Sequence, residues 1–353
     1  MVHSHQFTNL KNQFFEGIFV SCKSPFVQFR ICGTFENNKQ RMLGISFNRF
    51  PMKTIISNAE INGIFLKFNK PINVFYLKID FIGEDISFYD FYPKMIIEKS
   101  YEESLAFVKT KKVGFLGVAR NCENSVLNSI TSIAKVGNLF NSYKIFLLEN
   151  DSIDGTRSVI KSFANLPYFK PVFLDGLENQ FTTRTSRLAF CRNALLNLSN
   201  RNEFDYIVCF DADGVFKDIN IESVIKVFQY EECWDAVFPV MNPYYDLWAL
   251  RHPSLLNDDY EKIISRLPAS MGQTNATRLI TDSIRSLDFT QFEGWLSVDS
   301  AFGGLGIYRS SVYYQSSYWG EQGGSEICEH VPFHKRLKEL GANLYIVPDF
   351  KIS

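Results

Sequence analysis

Residues 206–216 read YIVCFDADGVF, and this stretch decides the fold that we expect for the chain. Five mostly apolar residues precede Asp211 and Asp213, a pattern typical of a buried strand that ends in two carboxylates. Residues i and i+2 of a strand point to the same face, so both side chains project into one place. Two like charges at that spacing repel each other unless a cation lies between them. The stretch therefore predicts a metal site at the end of a strand.

Length and charge are those of a globular chain with two domains. The chain has 353 residues, and its 37 Lys and Arg nearly balance its 38 Asp and Glu. This balance leaves no electrostatic footprint for nucleic acid or an anionic membrane. No apolar run approaches the roughly 20 residues that span a bilayer, and the N-terminus lacks a secretory signal pattern. We expect a cytoplasmic protein without nucleic-acid partners or a transmembrane segment, with peripheral membrane association left open.

The seven cysteines indicate a reducing environment. Their number is odd, and no two of them form a CxxC pair. Several lie within apolar runs, where a free thiol behaves as a small hydrophobic group. Buried free thiols are therefore favoured over disulfides or a zinc site.

The pattern of apolar residues changes near residue 100. Residues 1–100 contain short aromatic and β-branched runs broken by Gly, Asn and Pro, which predicts a small sandwich-like β-domain. Residues 101–112 are a charged connecting segment. From residue 113 to 353 strands alternate with helices, the pattern of an α/β domain with a mostly parallel sheet and helices on both faces. YIVCF is the fourth long strand of that domain.

Polar residues follow the ends of the predicted parallel strands. Ligands of open α/β sheets bind beyond these carboxyl ends, so the residues there are expected to gather at one site. Carboxylates hold ribose hydroxyls and cations, while arginines grip phosphates. Together they predict a nucleotide diphosphate site with a divalent metal. An alternative for Glu149 and Asp151 is that they cap a helix. The residues at the strand ends are Arg120, Glu149, Asp151, Asp211 and Asp213. Arg192 lies on a helix between the last two strands, and a solvated helix face is the alternative for it.

The same segments resemble a family. GVARNCENS, FLLENDSIDGT, LAFCRNALL and YIVCFDADG follow in the order of glycosyltransferases with the GT-A fold, and LWALR, DSAFGGLGIYR and CEHVPFHKRL come after them. The chain resembles capsule-type transferases related to the cryptococcal α-1,3-mannosyltransferase group over about residues 113–350. The resemblance implies transfer of a sugar from a UDP- or GDP-linked donor to a glycan hydroxyl in polysaccharide synthesis, with Mn²⁺ or Mg²⁺ bound at the DxD motif.

The resemblance also implies roles for single residues of the first half of the domain. Asp211 and Asp213 match the DxD motif, in which the second aspartate binds metal and the first contacts ribose or metal. Glu149, with Asp151 beside it, matches the acidic residue that contacts the nucleoside. Arg120 lies in the loop near the base, and Arg192 matches the helix arginine near the diphosphate.

Further roles follow from the resemblance in the second half. Gly303 and Gly304 match the glycine-rich segment beside the donor sugar and the acceptor. In CEH, Glu329 matches a catalytic carboxylate and His330 a metal ligand, whereas many family members have Glu-Asp here. His334, one turn later, is a second candidate ligand. An alternative for His330 is a packing role beside Phe333 and Leu337.

The expected chemistry explains why these residue types are needed. A divalent cation offsets the negative charge that grows on a departing nucleoside diphosphate. A nearby carboxylate stabilises the oxocarbenium-like sugar centre, and an inverting reaction also needs a base for the acceptor proton. Glu329 is our candidate for that base, with Asp211 as a second catalytic carboxylate. A retaining route is the alternative if Glu329 is not placed to act as the base.

Three rival functions deserve comparison. FDADGVF also resembles the first motif of haloacid-dehalogenase-like phosphatases, but here it lies on the fourth strand, and the later acidic pair of that family is missing. A sugar nucleotidyltransferase would need a Gly-rich phosphate loop after the first strand, which VARNCE lacks. A non-catalytic sugar-binding protein would not need to retain DxD, CEH and the Gly-Gly segment.

Overall fold

The computed structural model describes most of the chain from residue 99 onwards and the strands before it. The described residues are 3–7, 15–22, 28–34, 43–44, 47–56, 59–72, 76–82, 86–89, 99–241, 243–252, 255–267, 272–285, 289 and 295–353. They divide into two compact units. One consists of Met1–Glu98, Tyr230–Cys233 and Phe292–Ser297, and the other of Lys99–Gln229, Trp234–Gln291 and Val298–Ser353.

Strands and helices of the described residues are numbered along the chain. The strands are β1 (His3–Phe7), β2 (Phe15–Cys22), β3 (Gln28–Thr34), β4 (Leu43–Gly44), β5 (Phe47–Ile56), β6 (Ala59–Ile72), β7 (Tyr76–Ile82), β8 (Ile86–Tyr89), β9 (Lys112–Ala119), β10 (Ser142–Asn150), β11 (Phe169–Leu174), β12 (Tyr206–Asp211), β13 (Ala236–Val240), β14 (Leu296–Ser297), β15 (Leu305–Arg309), β16 (Glu321–Gln322), β17 (Ser325–Glu326) and β18 (Leu344–Lys351). The helices are α1 (Tyr101–Val108), α2 (Glu123–Gly137), α3 (Thr156–Ser162), α4 (Leu177–Gln180), α5 (Arg184–Leu198), α6 (Ile221–Val227), α7 (Tyr260–Ser265), α8 (Gln273–Arg285), α9 (Ser310–Tyr313) and α10 (His330–Glu339), and a 3-10 helix spans Phe228–Cys233.

The first unit contains two antiparallel sheets of four strands each. Their strand orders are β1-β7-β3-β4 and β5-β6-β2-β8. Ile18, Phe19 and Val20 of β2 are buried, as are Leu77 and Ile79 of β7. The small all-β region expected from the aromatic runs is thus confirmed. Its sandwich packing and its boundary at residue 100 stay predictions. The residues between these strands are not among those that the structure describes.

The second unit is built around a mixed sheet that is mostly parallel on one side. Seven of its strands follow the order β11-β10-β9-β12-β15-β13-β18. The strands from β11 to β12 are parallel to their neighbours, whereas β15 runs antiparallel to both β12 and β13. Parallel strands are covered on both faces, which explains the continuous apolar run of β9, buried from Val113 to Ala119. The α/β fold expected from the alternating pattern is confirmed.

A crevice forms where the strand order reverses. From β9 the chain first adds β10 and β11 on one side and then places β12 on the other side, so β9 pairs in parallel with both β10 and β12. The loops that leave β9 and β12 therefore diverge at the carboxyl edge of the sheet, which is where α/β folds bind ligands. Asp211 lies opposite Val118 at this edge.

Helix α5 begins earlier than the sequence pattern indicates. The apolar spacing predicts a start at Arg187, but the hydroxyl of Thr183 accepts the backbone N–H of Ser186 at 3.3 Å and caps the helix. The added turn brings Arg184 into the first turn of α5. By contrast, α2 starts at Glu123 and ends beside Asn138, as its pattern predicts. Among the described residues, no helix is both long and apolar enough to cross a membrane.

Candidate active site

The two aspartates of the FDADG stretch lie at the carboxyl end of β12. Asp211 is the last residue of the strand, and Ala212 between the two aspartates is fully buried. As the i, i+2 spacing predicts, Asp211 and Asp213 line the same cavities. Partial removal of water raises the pKa of Asp213, and the negative charge of Asp211 raises it further. A cation beside the pair would relieve this repulsion.

Two cavities adjoin at these aspartates. The smaller one measures about 250 Å³ and is lined mainly by the ends of β9 and β10 and by the first turns of α5. The larger one measures about 430 Å³ and is lined mainly by residues that follow β12 in the chain. Both cavities share Arg184, Leu188, Asp211 and Asp213. The shared aspartates therefore stand where one chamber meets the other.

Arg192 of α5 forms a buried clamp behind the aspartates. Its Nη2 donates to Oδ1 of Asp211 at 2.7 Å, and its Nε donates to Oε1 of Glu329 at 2.9 Å. Its Nη1 contacts the Cys209 sulfur at 3.1 Å, and the guanidinium lies over the ring of Phe302. All three guanidinium nitrogens thus have protein partners. The diphosphate contact expected for Arg192 stays a prediction, but the geometry supplies a different task, the placement of two carboxylates.

Glu329 and His330 lie at the start of α10 and line the larger cavity. Both are almost completely buried, with exposed fractions of 3% and 2%. The His330 ring stacks on Phe302 with centroids 3.8 Å apart, and its Nε2 lies 3.6 Å from Oε1 of Glu329. Neither ring nitrogen has a hydrogen-bond partner among the described residues. Burial, assisted by the charge of Arg192, lowers the pKa of His330 well below its usual value, so the imidazole is neutral.

His334, the second candidate ligand, has both ring nitrogens engaged. Nδ1 lies 2.9 Å from the hydroxyl of Ser300, and Nε2 lies 2.8 Å from the hydroxyl of Tyr308. All three residues are buried. His334 therefore joins a buried hydrogen-bond chain, whereas the buried ring nitrogens of His330 have no hydrogen-bond partner among the described residues.

The two acidic residues at the end of β10, Glu149 inside the strand and Asp151 just after it, are engaged by neighbouring protein groups. Glu149 is fully buried, forms an ion pair with Arg157 and accepts the N–H of Ser152 at 2.8 Å. Asp151, whose φ is +48°, accepts the N–H groups of Gly176 at 2.6 Å and Glu178 at 3.0 Å. The lining residue that this segment contributes to the smaller cavity is Asn150. Contacts of Glu149 and Asp151 with a nucleoside stay predictions.

Arg120 lies where the sequence predicts, beside the smaller cavity. It follows β9 and lines that cavity together with Asn121. One terminal nitrogen, Nη2, pairs with Glu178. The Nε atom is buried and has no hydrogen-bond partner among the described residues. A donor in this position is suited to a ligand acceptor atom, because a buried polar group without a partner is costly.

Gly303 and Gly304 bring a loop against the end of β12. Both have positive φ, +68° and +85°, a conformation that glycine adopts without strain. The carbonyl of Gly304 accepts the N–H of Asp211 at 3.0 Å, while the N–H of Gly303 donates to Oδ2 of Asp246 at 2.9 Å. A Cβ at Gly304 would collide with Val215. The two glycines thus connect the end of β12 to a carboxylate that the sequence did not single out.

Asp246 is a site residue that sequence reasoning missed. It lines the larger cavity and accepts N–H groups from Gly303 and, at 3.2 Å, from Ala249. Burial raises the pKa of Asp246 to about 6, and the charge of Asp211 adds to the rise. The available signal was its place directly before the LWALR motif. Arg184 was missed as well, and the signal was the capping residue Thr183 in front of it.

No group of three His, Cys, Asp or Glu side chains in the described part of the chain is gathered closely enough to hold a metal without further ligands. Mg²⁺ in nucleotide sites is commonly bound by one or two carboxylates together with substrate phosphates and water. The pair Asp211 and Asp213 satisfies that smaller requirement. A complete metal centre would thus need oxygen atoms from the substrate.

Comparison with known proteins finds one family model that matches part of the chain. Residues 118–290 match the model described as glycosyl transferase family 2. No curated protein matches the sequence. Similar solved structures include TarS 1-349 of S. aureus, with 15% identity, a TM-score of 0.39 and coverage of 69% of this chain and 59% of that chain.

Two further solved structures are similar at the same level. The mannosyltransferase PcManGT from Pyrobaculum calidifontis, in complex with GDP-Man and Mn²⁺, has 12% identity, a TM-score of 0.43 and coverage of 71% of this chain and 62% of that chain. M. tuberculosis glucosyl-3-phosphoglycerate synthase has 12% identity, a TM-score of 0.37 and coverage of 68% and 69%. The chain spans less than two thirds of TarS 1-349 and of PcManGT. The segment that matches the glycosyl transferase family 2 model, residues 118–290, contains Asp211, Asp213 and Asp246.

Proposed function

We propose that this protein transfers a sugar from a UDP- or GDP-linked donor to a hydroxyl of a glycan acceptor, as in the synthesis of a surface polysaccharide. The observation that carries the proposal is the pair of cavities that adjoin at Asp211 and Asp213, two residues of the segment that matches the family 2 model. A nucleotide sugar has two parts joined by a diphosphate. Two chambers that meet at carboxylates suit such a molecule, with the nucleoside in the smaller chamber and the sugar in the larger one.

The residues at the junction fit a divalent cation. Asp211 and Asp213 supply oxygen ligands, and the raised pKa of Asp213 indicates negative charge that lacks full compensation. His330 adds a neutral imidazole whose nitrogens have no hydrogen-bond partner among the described residues. The two aspartates and His330 do not form a ready three-ligand group among the described residues. In this proposal His330 joins the aspartates when the ion binds, which would favour Mn²⁺, because Mn²⁺ accepts imidazole as well as carboxylate ligands. When bound, the cation would offset charge on the departing diphosphate.

The arginines of the first turns of α5 complete the phosphate site that we propose. Arg184 lines both cavities, and Arg187 lines the smaller one. A guanidinium presents a fork of N–H donors that matches phosphate oxygens. Arg192 supports this site indirectly, because its ion pairs hold Asp211 and Glu329 in place. In this proposal Arg120 and Asn121, which line the smaller cavity, contact the nucleoside.

The narrower resemblance to the cryptococcal α-1,3-mannosyltransferase group remains part of the proposal, as does the use of a glycan acceptor. The placement of Glu329 beside His330 and the larger cavity supports a role of the CEH segment near the sugar. This role also depends on α5, because Arg192 of that helix forms a buried ion pair with Glu329.

The proposal is tested by nucleotide binding. Thermal unfolding is followed with UDP, GDP, CMP and dTDP, each with and without Mn²⁺, and binding of the best nucleotide is measured by calorimetry. A ligand that binds the folded state raises the melting temperature, so one diphosphate with Mn²⁺ should give the largest shift. Asp213→Asn should remove the Mn²⁺-dependent part of that shift, while Asp218→Asn, an exposed carboxylate outside the cavities, should leave it unchanged. Phosphatase turnover without any nucleotide shift would overturn the proposal.

A further inference from the structure

Asp246 stands in the larger cavity with both carboxylate oxygens oriented by the backbone. Oδ2 accepts the N–H of Gly303 at 2.9 Å, and Oδ1 accepts the N–H of Ala249 at 3.2 Å. The donors come from segments 57 and 3 residues away, so two separate parts of the chain fix the side chain. Each carboxylate oxygen has more than one acceptor site, which leaves room for a hydroxyl donor from a ligand.

We propose that Asp246 is the general base that takes the proton from the acceptor hydroxyl, a role that rests on the proposed glycosyl transfer. Its carboxylate lines the same cavity as Asp211 and Glu329, on the side contributed by the segment after β13. The sugar of a donor whose diphosphate lies at Asp211 and Asp213 would enter this cavity. An acceptor hydroxyl that approaches the sugar there meets the Asp246 carboxylate.

Glu329, the base expected from the CEH motif, is less suited to accept a proton. Its Oε1 accepts the Nε–H of Arg192, and the side chain is 4% exposed. That oxygen is already engaged by a charged donor and is therefore less free to take up a proton from an acceptor. Asp246 is oriented by neutral N–H groups instead. The division of work is then clear, with Glu329 placed as the counter-charge of Arg192 and Asp246 as the proton acceptor.

The charges around Asp246 favour proton uptake near neutral pH. Burial raises its pKa to about 6, and the nearby negative charges of Asp211 and Glu329 act in the same direction, while the N–H of Gly303 opposes the rise. A base whose pKa lies just below the working pH is ionised yet still accepts protons readily. The titratable groups that interact with it electrostatically come from β12, from the segment before α10 and from its own segment, namely Asp211, Cys328, Glu329, Tyr244 and Tyr245.

The neighbours of Asp246 in the chain indicate the kind of acceptor. Tyr245 and Trp248 line the same cavity, and Tyr245 is 37% exposed. Ligand sites typically combine aromatic walls with a few oriented polar groups. A cavity lined by a carboxylate and two aromatic residues suits a sugar ring, whose apolar face packs on an aromatic ring while a hydroxyl reaches the carboxylate. The acceptor class is therefore a glycoside.

The proton and electron balance of the step is complete. The acceptor O–H bond breaks, and its proton goes to a carboxylate oxygen of Asp246. The acceptor oxygen forms a bond to the anomeric carbon, while the bond from that carbon to the phosphate oxygen breaks. The electron pair leaves with the nucleoside diphosphate. Attack from the face opposite the leaving group inverts the configuration at the anomeric carbon.

The test compares Asp246→Asn with Glu329→Gln in the full chain, with Asp218→Asn as the matched control at an exposed position. Nucleotide affinity is measured by calorimetry with Mn²⁺ and the diphosphate that binds the wild type. Transfer is measured from the corresponding nucleotide sugar to a panel of methyl glycosides, with donor hydrolysis by water followed in parallel. The kcat/KM of the wild type is recorded from pH 5 to pH 8.

We expect Asp246→Asn to bind the nucleotide as the wild type does and to lose roughly 10²–10⁴-fold in kcat, the usual contribution of a general base. The wild-type profile should fall on the acid side with a midpoint near the pKa of about 6, and this limb should be missing in Asp246→Asn but present in Glu329→Gln. Near-wild-type kcat in Asp246→Asn, or a limb that disappears only in Glu329→Gln, would overturn the assignment.

Two results separate this assignment from the wider proposal. A wild type that binds no nucleotide and transfers no sugar would overturn both. A wild type that transfers sugar with a flat profile between pH 5 and pH 8, or with a retained anomeric configuration, would overturn the role of Asp246 alone. The wild-type measurements decide the question even if Asp246→Asn does not fold.

Discussion

The Nε atom of Arg192 donates to Oε1 of Glu329 across 2.9 Å, although the two residues are 137 positions apart in the chain. The same guanidinium holds Asp211 through Nη2. One buried cation thus sets the position of a carboxylate of the DxD motif and of the acidic residue of the CEH segment. Both the stability of the site and the placement of its carboxylates therefore depend on Arg192.

Arg192→Met should destabilise the fold by roughly 3–5 kcal/mol, because it leaves Glu329 as a buried charge without its cation. Arg187→Met on the same helix should cost far less, since Arg187 is only partly buried. Urea unfolding at pH 7 measures both. Adding Glu329→Leu to Arg192→Met should recover part of the lost stability. Equal stability of the two single variants would contradict the clamp.

Asp213→Ala should abolish Mn²⁺-dependent nucleotide binding and leave the fold intact. The carboxylate faces the cavities from an exposed position beyond the strand, so its loss removes a ligand without opening the core. Its raised pKa even predicts a small gain in melting temperature for the metal-free variant at pH 7. Calorimetry with Mn²⁺ and the best diphosphate, beside a thermal scan, checks both parts. Nucleotide affinity equal to that of the wild type in this variant would show that Asp213 is not a metal ligand.

Arg184→Ala should weaken a nucleoside diphosphate by roughly ten- to a hundredfold, the effect of losing a charged hydrogen bond of about 1.5–3 kcal/mol. The free nucleoside should bind the variant and the wild type alike, because Arg184 lies at the junction of the cavities. Lys217→Ala, an exposed position beyond the DxD motif, serves as the control for lost positive charge. A similar loss for nucleoside and diphosphate would argue against a phosphate contact.

His330 and His334 should separate in their variants although they lie one turn apart. His330→Ala should weaken Mn²⁺ and nucleotide binding together, since its ring nitrogens have no hydrogen-bond partner among the described residues. His334→Ala should instead destabilise the fold, because the buried hydroxyls of Ser300 and Tyr308 lose a partner at roughly 1–3 kcal/mol each.

Parallel titrations of Mn²⁺ and denaturant distinguish the two histidines. The expected result is a metal defect in the first variant and a stability defect in the second. A metal defect confined to His334→Ala would show that His334, and not His330, is the metal ligand.

Local patterns predicted the features that depend on neighbouring residues in the chain. The i, i+2 spacing placed Asp211 and Asp213 together, and the strand and helix alternation gave the parallel sheet at whose edge they lie. Arg120 was found because it directly follows a parallel strand. In each case the geometry of one element is enough to locate the side chain.

Residues whose position depends on distant backbone groups could not be predicted in this way. Asp246 lies six residues beyond the end of β13, and its orientation comes from the N–H of Gly303. Glu149 follows the strand-end rule, yet Arg157 and the N–H of Ser152 take up its two oxygens. Hydrogen-bond partners of this kind are decided by tertiary folding, which leaves no periodic signal in the sequence.

The order in which the two cavities are built along the chain has an evolutionary consequence. Every residue that lines the smaller cavity lies between Val118 and Asp213, whereas most of the lining of the larger cavity comes from Val215 to His330. Recombination or loop substitutions after Gly214 would therefore change which ligands the larger cavity accepts and leave the lining of the smaller cavity unchanged. A chimaera joined at that glycine should keep the nucleotide preference of one parent and take its choice of acceptor from the other.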